Sequence, residues 1–507
     1  METSQSERKP GGVRRALFLA TAEQYIRLVA NFVVVAAISR LLTSQEIGIS
    51  VIGTGVAAIF LSVRAFATSD YLIQCIELRE HHVRTCFTLL LLVTAPVAAA
   101  LAIAAPWIAR LYGEGGLALY IQLLAVAAVI ECVSLPINAL MRRDMEFGIL
   151  AFVNIATVAS SAALTLALAL LGFSFLSLAW AGLFAAVVTT VMSLWFRPDL
   201  RIFRPSLRFW RATVTFGGYQ GVTTVLGKAY ESLPQLVLGR ILPLHAVGLY
   251  NRASVLSGLP DRIILAGIFS VAYPALASEL RGGRDLKQPY LRALSYITVV
   301  YWPAQLLLTL LARPVVEILL GSQWLEIVPV LQLMSVASFF FFPTILTGPV
   351  LVAMGAVRDA LMVSLISLPA SALILCGASF FGVEAMAASQ LIALPLQAAI
   401  GFHYIRRHVR FEWRELAESL TKSAGVTLCC GLAAVSVLPL TGFRTDLSLR
   451  VAVLAGILGA LGWLAGLLLT RHPFLFEIIE VLGPLQRRVS WLRMLRLRAR
   501  GAEANSG

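Results

Sequence analysis

The chain has 507 residues, of which 59% are hydrophobic and 13% charged, with a mean hydropathy of +0.83. That balance excludes a soluble globular domain of this length. The net charge of +14 would suggest a nucleic-acid partner, but the placement of the basic residues excludes that reading.

Residues 1–15 form a polar tail, and no cleavable signal peptide is expected, because the first long apolar run contains Glu23 and Arg27. A bilayer crossing needs about 20 apolar residues. Runs of that kind predict fourteen spans, at 16–39, 47–67, 85–109, 117–140, 148–171, 174–196, 213–238, 248–276, 290–312, 326–351, 358–380, 384–405, 422–440 and 449–470. Short connections between them suit antiparallel neighbours, and no soluble domain fits anywhere. The expected fold is an all-α polytopic membrane protein. Residues 1–12 and 501–507 read as disordered. The six cysteines lack metal-ligand spacing and read as small buried hydrophobes, so no metal or cofactor is expected.

The arginines orient the spans. With a cytoplasmic N-terminus, inner connections carry Arg79 and Arg84, Arg142 and Arg143, then Arg197, Arg201, Arg204, Arg208 and Arg211. Later ones carry Arg281, Arg284, Lys287 and Arg292, then Arg406, Arg407, Arg410 and Arg414. Outer connections hold only scattered cations such as Arg40, Arg110 and Arg240. An even number of spans then puts both termini in the cytoplasm. Charge here sets topology.

One stretch occurs twice. Ser39-Arg40-Leu41-Leu42-Thr43, followed after three residues by Ile47-Gly48-Ile49, matches Gly239-Arg240-Ile241-Leu242-Pro243 and Val247-Gly248-Leu249. Further on, Arg84, Pro106, Gly113 and Gln122 answer to Arg292, Pro314, Gly321 and Gln332. Ordered anchors at a nearly constant offset predict two similar halves, and an even helix number per copy gives both the same orientation in the membrane. The expected layout is an N-lobe at 16–196, a basic interfacial linker at 197–212 and a C-lobe at 213–405. A cytoplasmic loop at 406–421, two further spans within 422–470 and a basic tail at 471–507 complete it.

The repeated motif, with Leu236-Val-Leu-Gly-Arg-Ile-Leu through Gly248-Leu-Tyr-Asn-Arg-Ala, Tyr273-Pro274-Ala-Leu-Ala-Ser and Leu319-Leu-Gly-Ser-Gln-Trp324, resembles the polysaccharide-transporter (Wzx-like) flippases. These belong to the multidrug/oligosaccharidyl-lipid/polysaccharide exporter superfamily. The resemblance covers about residues 14–470, with one departure: Pro234 stands where such proteins often carry an acid before Leu-Gly-Arg, and Glu231 lies a turn earlier. It implies two six-helix lobes around a cavity of alternating access. Through that cavity a polyprenyl-linked oligosaccharide would cross the bacterial inner membrane for surface polysaccharide assembly. It also implies a possible polysaccharide polymerase or export complex as partner, a monomeric carrier and no enzymatic activity.

Polar residues inside the spans are the candidate site. Glu23, Gln24, Arg27 and Asn31 form one helical stripe in span 1, and Gln220, Thr224, Lys228 and Glu231 form its counterpart in span 7. Arg64 lies in span 2, and Asp261 with Arg262 follows Pro260 in span 8. A charge at mid-membrane costs about 2.5–3.5 kcal/mol on insertion scales, so it persists when paired or facing water. Two readings stand. Glu23–Arg27, Lys228–Glu231 and Asp261–Arg262 are structural pairs, or Arg27, Lys228 and Arg262 line one inter-lobe cavity and attract a lipid pyrophosphate, with Gln24, Asn31 and Gln220 serving the glycan.

Other features are set aside. Gly221 through Lys228 and Ala229 has one residue too many for a phosphate loop and ends without Ser or Thr. His81-His82 reads as a solvated loop pair, and the Phe339–Phe342 run as packed or lipid-facing. The Arg-rich tail after residue 486 reads as an interfacial helix on anionic lipid. Two alternatives keep the same fold: a small-molecule exporter with an acidic ion-coupling site, and a flippase for lipid-linked peptidoglycan precursors. Membrane acids are few, namely Glu23, Glu131, Glu231 and Asp261. The loops near 312–325 and 441–448 are too short for a polymerase or ligase.

Overall fold

The computed structural model describes residues 10–475 and 477, except 68, 76–77, 199–202, 264–285, 438 and 440–447. Among the described residues the regular structure is helical throughout. Helices α1 (Pro10–Leu41), α2 (Ser44–Leu61), α3 (Asp70–Gln74), α4 (Glu80–Tyr112), α5 (Gly116–Arg143), α6 (Phe147–Leu170) and α7 (Leu176–Phe196) come first. Then follow α8 (Trp210–Ile241), α9 (Leu244–Ser257), α10 (Lys287–Leu310), α11 (Ala312–Leu319), α12 (Val328–Ser338) and α13 (Phe342–Ala353). Last are α14 (Val357–Ser379), α15 (Val383–Ala388), α16 (Gln390–Ile405), α17 (Trp413–Val435) and α18 (Leu449–Leu469).

Helices satisfy their own backbone, which is what a lipid environment demands. Among the described residues, 10 helical segments are long and apolar enough to cross a membrane. The pair Ser322–Ser338 and Phe342–Ala353, bent by 48°, makes up to 11 if counted as one span. Three expected spans lie outside that set: α8, the span at 248–276 and α17. The polar residues of α8 and the charged start of α17 dilute their hydropathy, and the span at 248–276 runs into residues outside those described.

The sequence repeat reappears in backbone geometry. Left-handed residues follow helix ends at Gly113 (φ 73°), Met145 (63°) and Gly172 (86°), and again at Gly321 (105°), Gly355 (75°) and Gly382 (110°). The closing bonds match as well: Glu146 N to Met141 O at 2.9 Å, and Ala356 N to Leu351 O at 2.8 Å. The anchor glutamines do one job twice. Gln122 Nε2 donates to the Ala102 carbonyl at 3.3 Å, and Gln332 Nε2 to the Thr309 carbonyl at 3.1 Å.

The chain packs into two compact units. The first comprises residues 1–256, 316–330 and 357–397; the second comprises 257–315, 331–356 and 398–507. In the first unit, the α1–α2 and α8–α9 corners interlock. A Cβ at Gly48 would lie 1.9 Å from the Leu244 carbonyl oxygen, and one at Gly248 would lie 2.0 Å from that of Ser44. Each copy of the motif therefore seats its glycine on the other copy's backbone. The corner is braced from residues 316–330. Trp324, fully buried, donates its indole N–H to the Ser39 carbonyl at 2.6 Å, and Arg40 reaches the Ile318 carbonyl at 2.5 Å. Ser39 is among the last residues of α1, whose carbonyls lack intrahelical partners. The Ser44 hydroxyl bonds His245 Nδ1, whose Nε2 meets Glu326 at 2.9 Å.

The linker docks on the same unit. Phe203 meets Phe87 edge-on at 5.3 Å, and Phe209 stacks on His82 at 4.0 Å. This corrects the expectation of a solvated histidine pair: His82 is buried, because the aromatic linker folds back over the start of α4.

In the second unit, α10, α17 and α18 share a polar seam. His472 is buried, with Nε2 2.9 Å from the Ser295 hydroxyl and 3.2 Å from that of Ser423. Small residues let α17 and α18 approach closely, since a Cβ at Gly462 would lie 2.6 Å from the Cys429 carbonyl oxygen. None of the six cysteines forms a disulfide.

The glycine crossing generates a prediction. Gly48→Ala or Gly248→Ala forces backbone apart rather than a flexible side chain, so each should cost at least about 2 kcal/mol, within or above the overpacking range. Gly218→Ala, where a Cβ meets nothing within 4 Å, should instead be neutral or gain roughly 0.5–1 kcal/mol from helix propensity. Thermal unfolding of detergent-purified protein reads the difference. Equal melting temperatures for Gly48→Ala and wild type would contradict the crossing.

Candidate functional site

The first unit carries an open cavity of about 540 Å³. Its walls are largely small and apolar, including Ala57, Ala58, Ala127 and Ala128, and four charged residues reach it: Arg64, Glu131, Arg142 and Lys228. Three cations against one acid leave the lining with an excess of two positive charges.

Local sequence explains how these residues meet. Helix α2 gives way at Ser62 to a tighter 3₁₀ turn, Ser62–Ala67, which carries Arg64. That turn presses onto α8 because α8 offers glycine there. A Cβ at Gly217 would lie 2.2 Å from the Phe66 carbonyl oxygen, and one at Gly221 2.7 Å from the Phe66 ring. This spacing of small residues four apart is a membrane packing device, and it brings Arg64 and Lys228 to the same space. Gly221, set aside as a false phosphate loop, has this packing role.

Arg64 Nη1 lies 2.8 Å from Glu131 Oε2 on α5, with both side chains about one-third exposed at 32% and 38%. An ion pair so accessible contributes little to stability; what it does is hold the guanidinium in place at the cavity wall. Lys228 Nζ lies 2.7 Å from Glu231 Oε2, an i,i+3 contact on α8 that is more open still. Thr224, one turn before Lys228, also lines the cavity, and Tyr120 bonds Thr54 at 3.0 Å.

The expected residues are distributed as follows. Lys228 and Arg64 line this cavity, and Glu231 stands beside Lys228. Arg27, Gln24 and Asn31 are exposed on α1 and are not among its lining residues. The side chains of Glu23 and Gln220 lie outside the described residues. Arg262 is exposed and Asp261 half-buried, both in the second unit. Asp261 sits against the Tyr301 hydroxyl, and the neighbouring Arg262 charge acts on it electrostatically. Glu131 as the partner of Arg64, and Arg142 as a lining residue, were not anticipated. Glu131 carries a signal, being the single acid of its span, whereas Arg142 lies in a connection whose cations read as topology.

A sequence model described as "Polysaccharide biosynthesis protein" matches residues 37–329, more than half of the chain. The chain belongs to this family. It is 26% identical over 318 residues to the succinoglycan biosynthesis transport protein ExoT of Rhizobium meliloti (strain 1021), covering 62% of this chain and 63% of that one. It is 23% identical over 315 residues to the lipopolysaccharide biosynthesis protein WzxC of Escherichia coli (strain K12), covering 60% and 63%. The match thus spans less than two-thirds of these relatives. Among solved structures, the lipid II flippase MurJ in an inward closed conformation shares the fold with a TM-score of 0.68, at 12% identity over 90% of this chain and 98% of that one. An inward-facing multidrug MATE transporter does so with a TM-score of 0.61, at 15% identity over 79% and 99%.

The cation excess of the cavity can be read directly. In a cysteine-free background, Arg64→Cys and Lys228→Cys should react several-fold faster with an anionic than with a cationic thiosulfonate reagent, because a cleft of one sign concentrates the opposite charge. Adding Arg142→Gln should reduce that preference. Faster reaction with the cationic reagent would contradict the electrostatic reading.

Proposed function

We propose that this protein translocates a polyprenyl-pyrophosphate-linked oligosaccharide repeat unit across the bacterial inner membrane, by alternating access, for surface polysaccharide assembly. The observation that carries the reading is the cavity lined by Arg64, Arg142 and Lys228 against the single acid Glu131. A pyrophosphate diester is anionic, and charge-assisted contacts from guanidinium and ammonium groups are the strong ones for such a group. Family membership and the names of the relatives support polysaccharide biosynthesis as the setting. The MurJ-like and MATE-like fold supports transport over catalysis.

In this reading the chain crosses the membrane fourteen times, with two six-helix lobes, two further spans and both termini cytoplasmic. Arg27 and Arg262 join the translocation path at other stages of the cycle, with Gln24, Asn31 and Gln220 meeting sugar hydroxyls. The carrier acts as a monomer alongside the polymerase or export machinery.

The test uses a deletion strain complemented with variants. Arg64→Ala, Arg142→Ala and Lys228→Ala should each cut surface polysaccharide at least tenfold, the size of one lost charge-assisted contact of about 1.4 kcal/mol or more. Lipid-linked repeat unit should accumulate on the cytoplasmic face while carrier levels in the membrane stay normal. Normal export from the triple variant would overturn the proposal.

A further inference from the structure

Where α16 gives way to α17, within the second unit, three arginines gather around an exposed tryptophan. The crossing segment Val383–Ile405 ends immediately before Arg406, and α17 starts at Trp413. The connection between them is pinned to the core. Val409 and Phe411 are buried, and Phe411 stacks on Tyr290 of α10 at 5.7 Å. Phe402 meets Phe411 and Trp413 edge-on, at 6.1 and 5.6 Å.

Arg406 is built into this aromatic wall. Its guanidinium carbon lies 4.7 Å from the centre of the Trp413 ring and 5.8 Å from that of Phe411. Its Nε donates to the Phe411 carbonyl at 3.2 Å. The ring faces attract the cation and the carbonyl fixes its plane, so the two Nη groups are held in place. Arg407 lies over Tyr404 at 4.6 Å, and Arg410 is exposed. Among the described residues no acid pairs with any of the three, because the acids nearby are committed elsewhere. Glu415 is held by Lys287 and by the Glu412 N–H at 2.8 Å, and Glu418 by Arg414 at 2.9 Å. That leaves Glu412 against three cations. Trp413 is 53% exposed. An indole at the end of a crossing segment belongs at headgroup level, with its ring among acyl chains and its N–H in water.

We propose that Arg406, Arg407, Arg410 and Trp413 form a binding site for the headgroup of one anionic phospholipid of the phosphatidylglycerol class. A phosphodiester carries one negative charge, and a planar guanidinium meets two of its oxygens at once. A soluble anion would gain nothing from Trp413, whereas a lipid lays its glycerol and first methylenes against the ring. Basic pockets beside crossing helices are a recurring form of lipid recognition. The site concerns the bilayer around the carrier and is independent of what the carrier transports.

The test is native mass spectrometry of the full-length protein in a neutral detergent, titrated with dioleoyl phosphatidylglycerol or dioleoyl phosphatidylcholine. Wild type should hold phosphatidylglycerol at least about tenfold more tightly than phosphatidylcholine. The triple variant Arg406→Gln, Arg407→Gln, Arg410→Gln should lose one tightly bound phosphatidylglycerol per protein. Trp413→Leu keeps every charge, yet should weaken that lipid about threefold or more. Arg414→Gln, whose charge is already paired with Glu418, should leave it unchanged. Soluble glycerophosphoglycerol at the same concentration should not displace the lipid. If Trp413→Leu fails to fold, as judged by size-exclusion profile and melting, the arginine variants carry the test. Equal retention of the two lipids by wild type, or full retention by the folded triple variant, would overturn the proposal. So would displacement by glycerophosphoglycerol, the mark of a soluble-anion site, or unchanged binding in folded Trp413→Leu, the mark of charge alone.

Discussion

The mutual seating of Gly48 and Gly248 is the contact on which the first unit depends. Each glycine lies on the backbone of the other copy of one motif, so neither position has room for a Cβ. Dispersion between such closely packed backbones is what holds helices together where lipid removes the hydrophobic drive. The crossing also fixes the directions in which α2 and α8 leave it. Those two helices then meet again, through Gly217, Gly221 and the Phe66 turn, at the cavity. A shift at the corner would move Arg64 relative to Lys228.

The charges within this apolar chain fall into distinct roles. Arg64 is held by Glu131 and still faces the cavity, so pairing does not withdraw it from the cavity wall. Lys228 pairs with Glu231 in a more exposed setting, where such a pair contributes little to stability. Asp261 is neither. Its neighbours are the Tyr301 hydroxyl, through it Gln305, and the charge of Arg262, and one of its oxygens has no hydrogen-bond partner.

Much of this was legible in the sequence, and the gaps have physical causes. The repeat was visible because both copies must make the same turn, and the glycines that make it stand at the same spacing. Lys228 stood out because an ammonium in an apolar helix needs an explanation. Glu131 was noted only as a rare membrane acid, since its partner lies 67 positions away and no local period links them. Arg142 was hidden by a rule that assigns loop cations to topology. The two compact units were not legible at all, because each gathers segments from distant parts of the chain.

The proposed transport rests on a cation-rich cavity that accepts an anionic lipid-linked glycan. Reconstitution into liposomes with a fluorescent polyprenyl-pyrophosphate oligosaccharide tests it most directly, with transfer between leaflets followed by a membrane-impermeant quencher. The account predicts protein-dependent transfer that slows at least tenfold when Arg64 and Lys228 are both changed to Gln, and a carrier that ignores a neutral lipid-linked glycan of equal size. Transfer at the rate of protein-free liposomes, or equal transfer of the charged and neutral lipids, would contradict it.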